Sequence, residues 1–254
     1  MQSLKRQRKT KIVAIGSSST AGEKSSAGEI KIVPFPSRLE LALRARSYGR
    51  MIDVLNRGFG GQEAQDELSR FQPDVIDEAP ALVIWQVGTN AVFRKEIYSL
   101  DEVAASIAAG LDWLAELPMD VVLMDLQYTT ALVTDKIGFA EDMVSRISAA
   151  AEKAHVNVFR RFALMRRWRC EDNIPMADLI DPDDNSHLHM SDWATNCVTK
   201  ALDGAMAAAP PPMAEGPVFA RGQIGKICRS FVSGKQKHGA RLHVGQPMGR
   251  GALS

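Results

Sequence analysis

Hydrophobic residues in this chain fall into two alternating kinds of segment. Short apolar runs recur at residues 12–15, 51–55, 81–87, 120–126 and 155–159. Each is the length of a buried strand and is bounded by turn-forming or polar residues. Between them the apolar positions take helical spacing. Asp101 to Leu117 places Val103, Ile107, Leu111 and Leu114 on one face, and Asp135 to Ala154 does the same with Ile137, Met143, Val144 and Ile147. Ser37–Arg46, Gln62–Phe71 and Ser191–Ala208 complete the helical set, with Asp101 and Ser191 as candidate N-caps. Strands that are apolar throughout and separated by helices predict a parallel sheet covered on both faces, joined by right-handed crossovers. The expected fold class is therefore α/β, one doubly wound α/β/α domain.

The pattern ends near Gly204. The last 51 residues hold nine of the 19 glycines and five of the 12 prolines, including Pro210-Pro211-Pro212, and no amphipathic period persists. The chain is thus expected to divide into a basic N-terminal extension over 1–10, the domain over 11–208, and a Gly/Pro-rich basic tail over 209–254 that is mostly disordered or loosely packed.

Charge sharpens that division. The net charge is +1, yet residues 1–11 carry five Lys/Arg and residues 221–254 carry seven, with no acid in either stretch. The remainder holds 19 basic against 30 acidic residues. The tail has no aromatics beyond Phe219 and Phe231, so a stacking surface for single strands is not expected; it reads as a solvated extension, with no nucleic-acid partner. No apolar run approaches the ~18 residues of a membrane span, and Ile12–Ile15 is too short for a signal-peptide core. Cys170, Cys197 and Cys228 are odd in number and widely spaced, which argues against a disulfide framework and for a reducing, cytoplasmic setting.

Candidate chemistry gathers at the strand ends. The first strand breaks into Gly16-Ser17-Ser18-Ser19-Thr20-Ala21-Gly22, a turn that can present a hydroxyl where open α/β sheets bind ligands. It is not a P-loop, because no Gly-Lys-Ser/Thr follows. The second strand ends in Asn56-Arg57-Gly58-Phe59-Gly60-Gly61 and the third in Gly88-Thr89-Asn90. Near the last helix lies Asp183-Asp184-Asn185-Ser186-His187-Leu188-His189-Met190-Ser191.

The order Ser, Gly, Asn, then Asp/His resembles the SGNH (GDSL-type) hydrolases over residues 11 to 200. The resemblance implies a three-layer α/β/α fold around a five-stranded parallel sheet in flavodoxin-like order, and a serine esterase or lipase that needs no cofactor or metal and acts on a small acyl ester. It makes Ser18 the nucleophile, Gly58 and Asn90 the oxyanion donors, and a histidine before the last helix the base. His189 fits that helix, with Asp184 as orienting acid. His187 is the alternative base, because Asp184-Asn185-Ser186-His187 has the family's spacing. Two departures stand out: Ser17 replaces the family's Asp before the serine, and Ala91 stands where an Asp is common. They leave open a non-catalytic binding protein on the same fold. A metal-dependent hydrolase built on Asp183, Asp184, His187 and His189 is a further alternative.

Overall fold

A computed structural model describes residues 9–22 and 32–208. The basic N-terminal extension up to Arg8 and the tail from Ala209 onward lie outside the described residues.

Among the described residues, five strands form one all-parallel sheet: β1 (Lys9–Gly16), β2 (Met51–Gly58), β3 (Leu82–Gln86), β4 (Asp120–Met124) and β5 (Asn157–Phe159). Their spatial order is β2-β1-β3-β4-β5. Ile12 pairs with both Val54 and Leu82, and Gly16 faces Gly58. Among the described residues, ten α-helices connect and cover the strands. They are α1 (Ser18–Ala21), α2 (Phe35–Arg46), α3 (Ala64–Ser69), α4 (Thr89–Phe93), α5 (Leu100–Ala115), α6 (Thr130–Val133), α7 (Ile137–Lys153), α8 (Arg161–Cys170), α9 (Met176–Leu179) and α10 (Asp192–Ala208).

Successive side chains of β1 point to opposite faces. Val13 and Ile15, with Val83 and Trp85 of β3, pack against Val103, Ile107 and Leu111 of α5 and Met143 and Ile147 of α7. Ile12 and Ala14, with Leu82 and Ile84, pack against Phe35, Leu39 and Leu43 of α2 and Leu202 and Met206 of α10. These two apolar layers enclose the sheet, which is why its inner strands carry almost no polar residues. The expected doubly wound α/β/α domain is what forms.

Several boundaries differ from the sequence pattern. Helix α5 starts at Leu100, with the Ser99 hydroxyl accepting from Glu102 N–H, so Asp101 falls in the first turn and pairs with Arg146 instead of capping. The segment expected to be helical over Gln62–Phe71 contains α3 and runs on into a π-helical turn at Gln72–Ile76. His155 adopts a left-handed backbone (φ 55°), which shortens β5 from its N-terminal side. Helix α8 has no counterpart in the pattern. Four of its ten residues are arginine, and only Phe162 and Met165 carry an apolar face inward.

The core on the α5 side turns on Trp85. Phe71 meets its ring edge-on at a centroid distance of 4.8 Å, and both are fully buried. Phe71→Ala should cost about 3–5 kcal/mol through the cavity it leaves. Urea denaturation is expected to show a lower midpoint at unchanged slope.

Candidate active site

Open α/β sheets bind ligands beyond the C-terminal ends of strands, where the connections diverge. Here β1 leads to its neighbour β2 on one side, and β3 lies on the other. The crevice between them receives Ser18 from β1, the Gly58–Gln62 loop from β2 and Asn90 from β3. The loop before α10 closes over it with His189. Together these groups line a cleft of about 680 Å3 that includes Ser18, Gly61, Asn90 and His189.

The serine turn is fixed by one acceptor. Gln86 Oε1, at the end of β3, receives Ser17 N–H at 3.1 Å and the hydroxyls of Ser17, Ser19 and Thr20 at 3.0, 2.9 and 3.2 Å. One amide oxygen has two lone pairs, so these four donors share it. Ser17 therefore acts as a donor where the family's Asp would accept. Beneath the turn lies Arg161, fully buried. Its Nη1 reaches Ser19 Oγ at 3.2 Å and its Nε donates to the Asp125 carbonyl at 3.1 Å. Burial pulls the Arg161 guanidinium down to about 10. Burial likewise pushes the neighbouring Asp125 carboxyl up to about 6, against the opposing effect of Phe162 N–H and the Arg161 charge.

Ser18 Oγ lies 2.9 Å from His189 Nε2, and His189 Nδ1 lies 2.9 Å from Asp184 Oδ2. The Asp184 carboxylate organises its own loop. It accepts Ser186 N–H and hydroxyl, and the N–H groups of Leu188 (2.9 Å) and His189 (2.7 Å). His187 N–H returns to the Asp184 carbonyl at 3.0 Å, and His187 takes a left-handed backbone (φ 51°). That extra curl lets Asp184 reach a histidine five residues on. It also turns His187 out to solvent, so the alternative base does not join Ser18. Burial works to raise the Asp184 carboxyl. The N–H of His189, the Ser186 hydroxyl and the His189 imidazole outweigh it and hold the group well below the usual carboxylate range.

Asn90 is buried in the cleft wall, and its Nδ2 donates one hydrogen to the Gln62 carbonyl at 2.8 Å, leaving the other free. Its helix is held by Glu63, which is also buried. Glu63 Oε1 accepts Gly88 N–H at 2.7 Å and Oε2 accepts Ala91 N–H at 2.8 Å. Ala91, where the family often has Asp, is thus a buried apolar position whose backbone meets a carboxylate from another loop. Burial raises Glu63, against these N–H donors, and raises Glu67 well above its usual range, with the Glu63 charge adding to the effect. Glu67 also accepts the Trp85 indole N–H at 2.7 Å, which makes Trp85 a core residue.

Gly58 requires a correction. Its N–H donates to Asn56 Oδ1 at 2.9 Å and so faces its own strand end instead of the cleft. Its glycine is needed for another reason: a Cβ there would sit 2.1 Å from Ala21 N, because the serine turn packs directly on β2. Gly61, three residues on with φ 80°, lines the cleft instead. Neither its N–H nor that of Ser18 is taken by an acceptor among the described residues. The metal-binding alternative also fails on geometry. Asp183 and His187 are exposed while Asp184 and His189 bond each other, and no group of three or more His, Cys, Asp or Glu among the described residues could hold a metal ion.

Sequence reasoning missed Gln86, Glu63 and Arg161. A lone amide at the end of an otherwise apolar strand was the available signal for Gln86. Glu63 preceding a helix with Asp66 three positions later has the look of a capping box, and that box forms. Arg161 left no signal, because its burial depends entirely on tertiary packing.

The linkage at Asp184 has a definite sign. A carboxyl lowered on folding contributes stability above its unfolded range, about pH 4, and loses it as pH falls through that range toward its folded value. Asp184→Asn should therefore be less stable than the wild type by a constant amount above about pH 5. The gap should narrow at lower pH, as read by urea midpoints from pH 7 to 3.

The model of the non-GDSL lipase-like family matches residues 1–209. A curated relative, the uncharacterized lipoprotein YqeF of Bacillus subtilis (strain 168), is 35% identical over 79 residues, so the chain spans 31% of that relative's length and 31% of its own. LAE5, an alpha/beta hydrolase enzyme from the metagenome of Lake Arreo, Spain, superposes with a TM-score of 0.67 at 17% identity, over 80% of this chain and 97% of that one. Axe2, an acetylxylan esterase from Geobacillus stearothermophilus, gives 0.65 at 20% identity, over 78% and 93%. The lipase/acylhydrolase from Enterococcus faecalis gives 0.64 at 17% identity, over 81% and 100%. At these identities the likeness is one of fold.

Proposed function

The chain belongs to the non-GDSL lipase-like family, and on that footing we propose that it is a serine hydrolase of carboxylic esters working through an acyl-enzyme on Ser18. The observation that carries the reading is the run of contacts from Ser18 Oγ to His189 to Asp184, with both separations 2.9 Å. A hydroxyl is a weak nucleophile at neutral pH and needs a base within hydrogen-bond reach.

In this mechanism Ser18 Oγ attacks the ester carbonyl while His189 Nε2 takes its proton. The tetrahedral oxyanion is held by Ser18 N–H, Gly61 N–H and the free hydrogen of the Asn90 amide. His189 then gives its proton to the departing alcohol, leaving the acyl group on Ser18. Water, activated by the same imidazole, releases the acid. Asp184 fixes the Nδ1–H tautomer and stabilises the imidazolium, a role that requires it to remain ionised. Its lowered carboxyl supports that role. Gly61 replaces Gly58 as backbone donor for the reason given above. Glu63 is a positioning residue, since it holds the helix that carries Asn90.

The substrate is a small or medium acyl ester bound in the cleft. No helix among the described residues is long and apolar enough to cross a membrane. Among the described residues Cys170 and Cys197 form no disulfide, which is in keeping with a reducing compartment.

A fluorophosphonate label should attach to Ser18 in the wild type and fail to attach in Ser18→Ala. Ser18→Ala and His189→Ala should each lower hydrolysis of 4-nitrophenyl acetate by about 10⁴-fold or more, and His187→Ala should keep most of it. Equal rates in the wild type and Ser18→Ala would remove the serine mechanism. A chain that neither labels nor hydrolyses would instead be a binding protein on this fold.

Asn90→Ala should lower kcat by about 10²–10³ with little change in KM, because the amide serves the oxyanion and not the ground state. A change confined to KM would make Asn90 a substrate-binding residue.

A further inference from the structure

Most arginines of the described domain face a carboxylate. Arg38, Arg44, Arg46, Arg57, Arg70 and Arg146 each pair with an Asp or Glu. Arg94 is different. It follows the last turn of α4, its N–H donates to the Asn90 carbonyl at 2.8 Å, and it lines the cleft. Its Nη1 and Nη2 lie 3.5 and 3.6 Å from the point where a Cβ on Gly61 would stand, so the guanidinium covers the Gly61 turn. Among the described residues it has no ion pair and no side-chain hydrogen bond.

The cleft's own carboxylate does not answer it. Asp66 Oδ2 is held by Glu63 N–H at 3.1 Å and by the Tyr98 hydroxyl at 3.4 Å. A second cation adds to the field at the same helix end, since Lys136 donates to the Phe93 carbonyl and lies 5.3 Å above the Phe93 ring. The result is a planar cation with its donors uncommitted, on the wall that holds the Asn90 and Gly61 amides. A guanidinium is suited to a carboxylate, sulfonate or phosphate, which it can grip through two parallel N–H bonds.

We propose that this cleft takes esters bearing an anionic group and that Arg94 is the residue that receives that group. The proposal rests on the reading of the cleft as an esterase site and names its substrate class. The reaction is unchanged: water cleaves the acyl–oxygen bond, giving an acid and an alcohol. Arg94 acts by holding the substrate and takes no proton.

Matched ester pairs test this. For an anion on the acyl side, mono-4-nitrophenyl adipate is compared with its neutral methyl ester. For an anion on the alcohol side, 4-acetoxybenzenesulfonate is compared with 4-(methylsulfonyl)phenyl acetate. The readout is the ratio of kcat/KM for the anionic ester to that for its neutral partner, which cancels differences in folding and active fraction. In at least one pair the ratio should fall about 10- to 100-fold in Arg94→Ala, carried mainly by KM, and fall less in Arg94→Lys. Added salt should lower the wild-type ratio in the same pair. The pair that responds identifies which side of the ester carries the charge. Ratios that do not change in Arg94→Ala for either pair would overturn the proposal, leaving Arg94 a helix-end residue and the esterase reading intact. A wild-type enzyme that hydrolyses none of the four esters would overturn both.

Discussion

The side-chain amide of Gln86 is the point on which the cleft depends. Its oxygen gathers the backbone and hydroxyls of the serine turn, and its Nε2 reaches Thr89 Oγ1 at 3.4 Å. Thr89 in turn donates to Gln127 Oε1 at 3.1 Å, and Gln127 Nε2 donates to the Leu188 carbonyl at 3.2 Å. A continuous string of polar contacts thus runs beneath the cleft from the turn that carries Ser18 to the peptide that precedes His189. It crosses the ends of three parallel strands. Buried polar strings of this kind are strong only when each member is satisfied, because the low dielectric that strengthens a made bond also penalises an unmade one. The site's geometry is accordingly a property of the sheet end as a whole.

A second constraint is electrostatic. Asp184, Glu63 and Glu67 are buried carboxylates, and each meets a different set of neighbours. Asp184 is surrounded by N–H and O–H donors, so its charge is favoured in spite of burial. Glu63 has backbone donors that only partly offset burial, and Glu67 has one indole N–H and a charged neighbour. Deeper burial and fewer offsetting donors together separate Glu63 and Glu67 from Asp184, whose charge is the most easily kept.

The fold was legible in the sequence because its causes are local and periodic. Fully apolar runs such as Leu82–Trp85 could only be covered strands, and the Val103–Leu114 stripe could only be a buried helix face. The serine turn and Asn90 were legible too, since each ends a strand. What could not be read was the reach of one loop to another. Gly58 and Gly61 look alike as letters, and only the packing of the serine turn on β2 shows that the first is needed for space and the second faces the cleft. Likewise the spacing of three favoured His187. The carboxylate of Asp184 draws Leu188 and His189 N–H toward itself, and that draws in the later histidine. Helix α8 escaped notice because its buried arginine breaks the usual link between charge and exposure.

The contact between Ser18 and His189 joins residues 171 positions apart in the chain. Its histidine sits at the start of the last described helix, in a loop pinned by the Ile180–Met190 bridge. Contacts that distant form late, because the intervening chain must be ordered before they can close. During synthesis Ser18, the proposed nucleophile, emerges long before its partner. For most of that time Ser18 is an ordinary alcohol on a turn, without a base to accept its proton. On the proposed serine mechanism the hydroxyl gains its reactivity only when the loop that carries His189 has docked beside it, so a growing polypeptide would carry no reactive serine that could be acylated before the domain is complete.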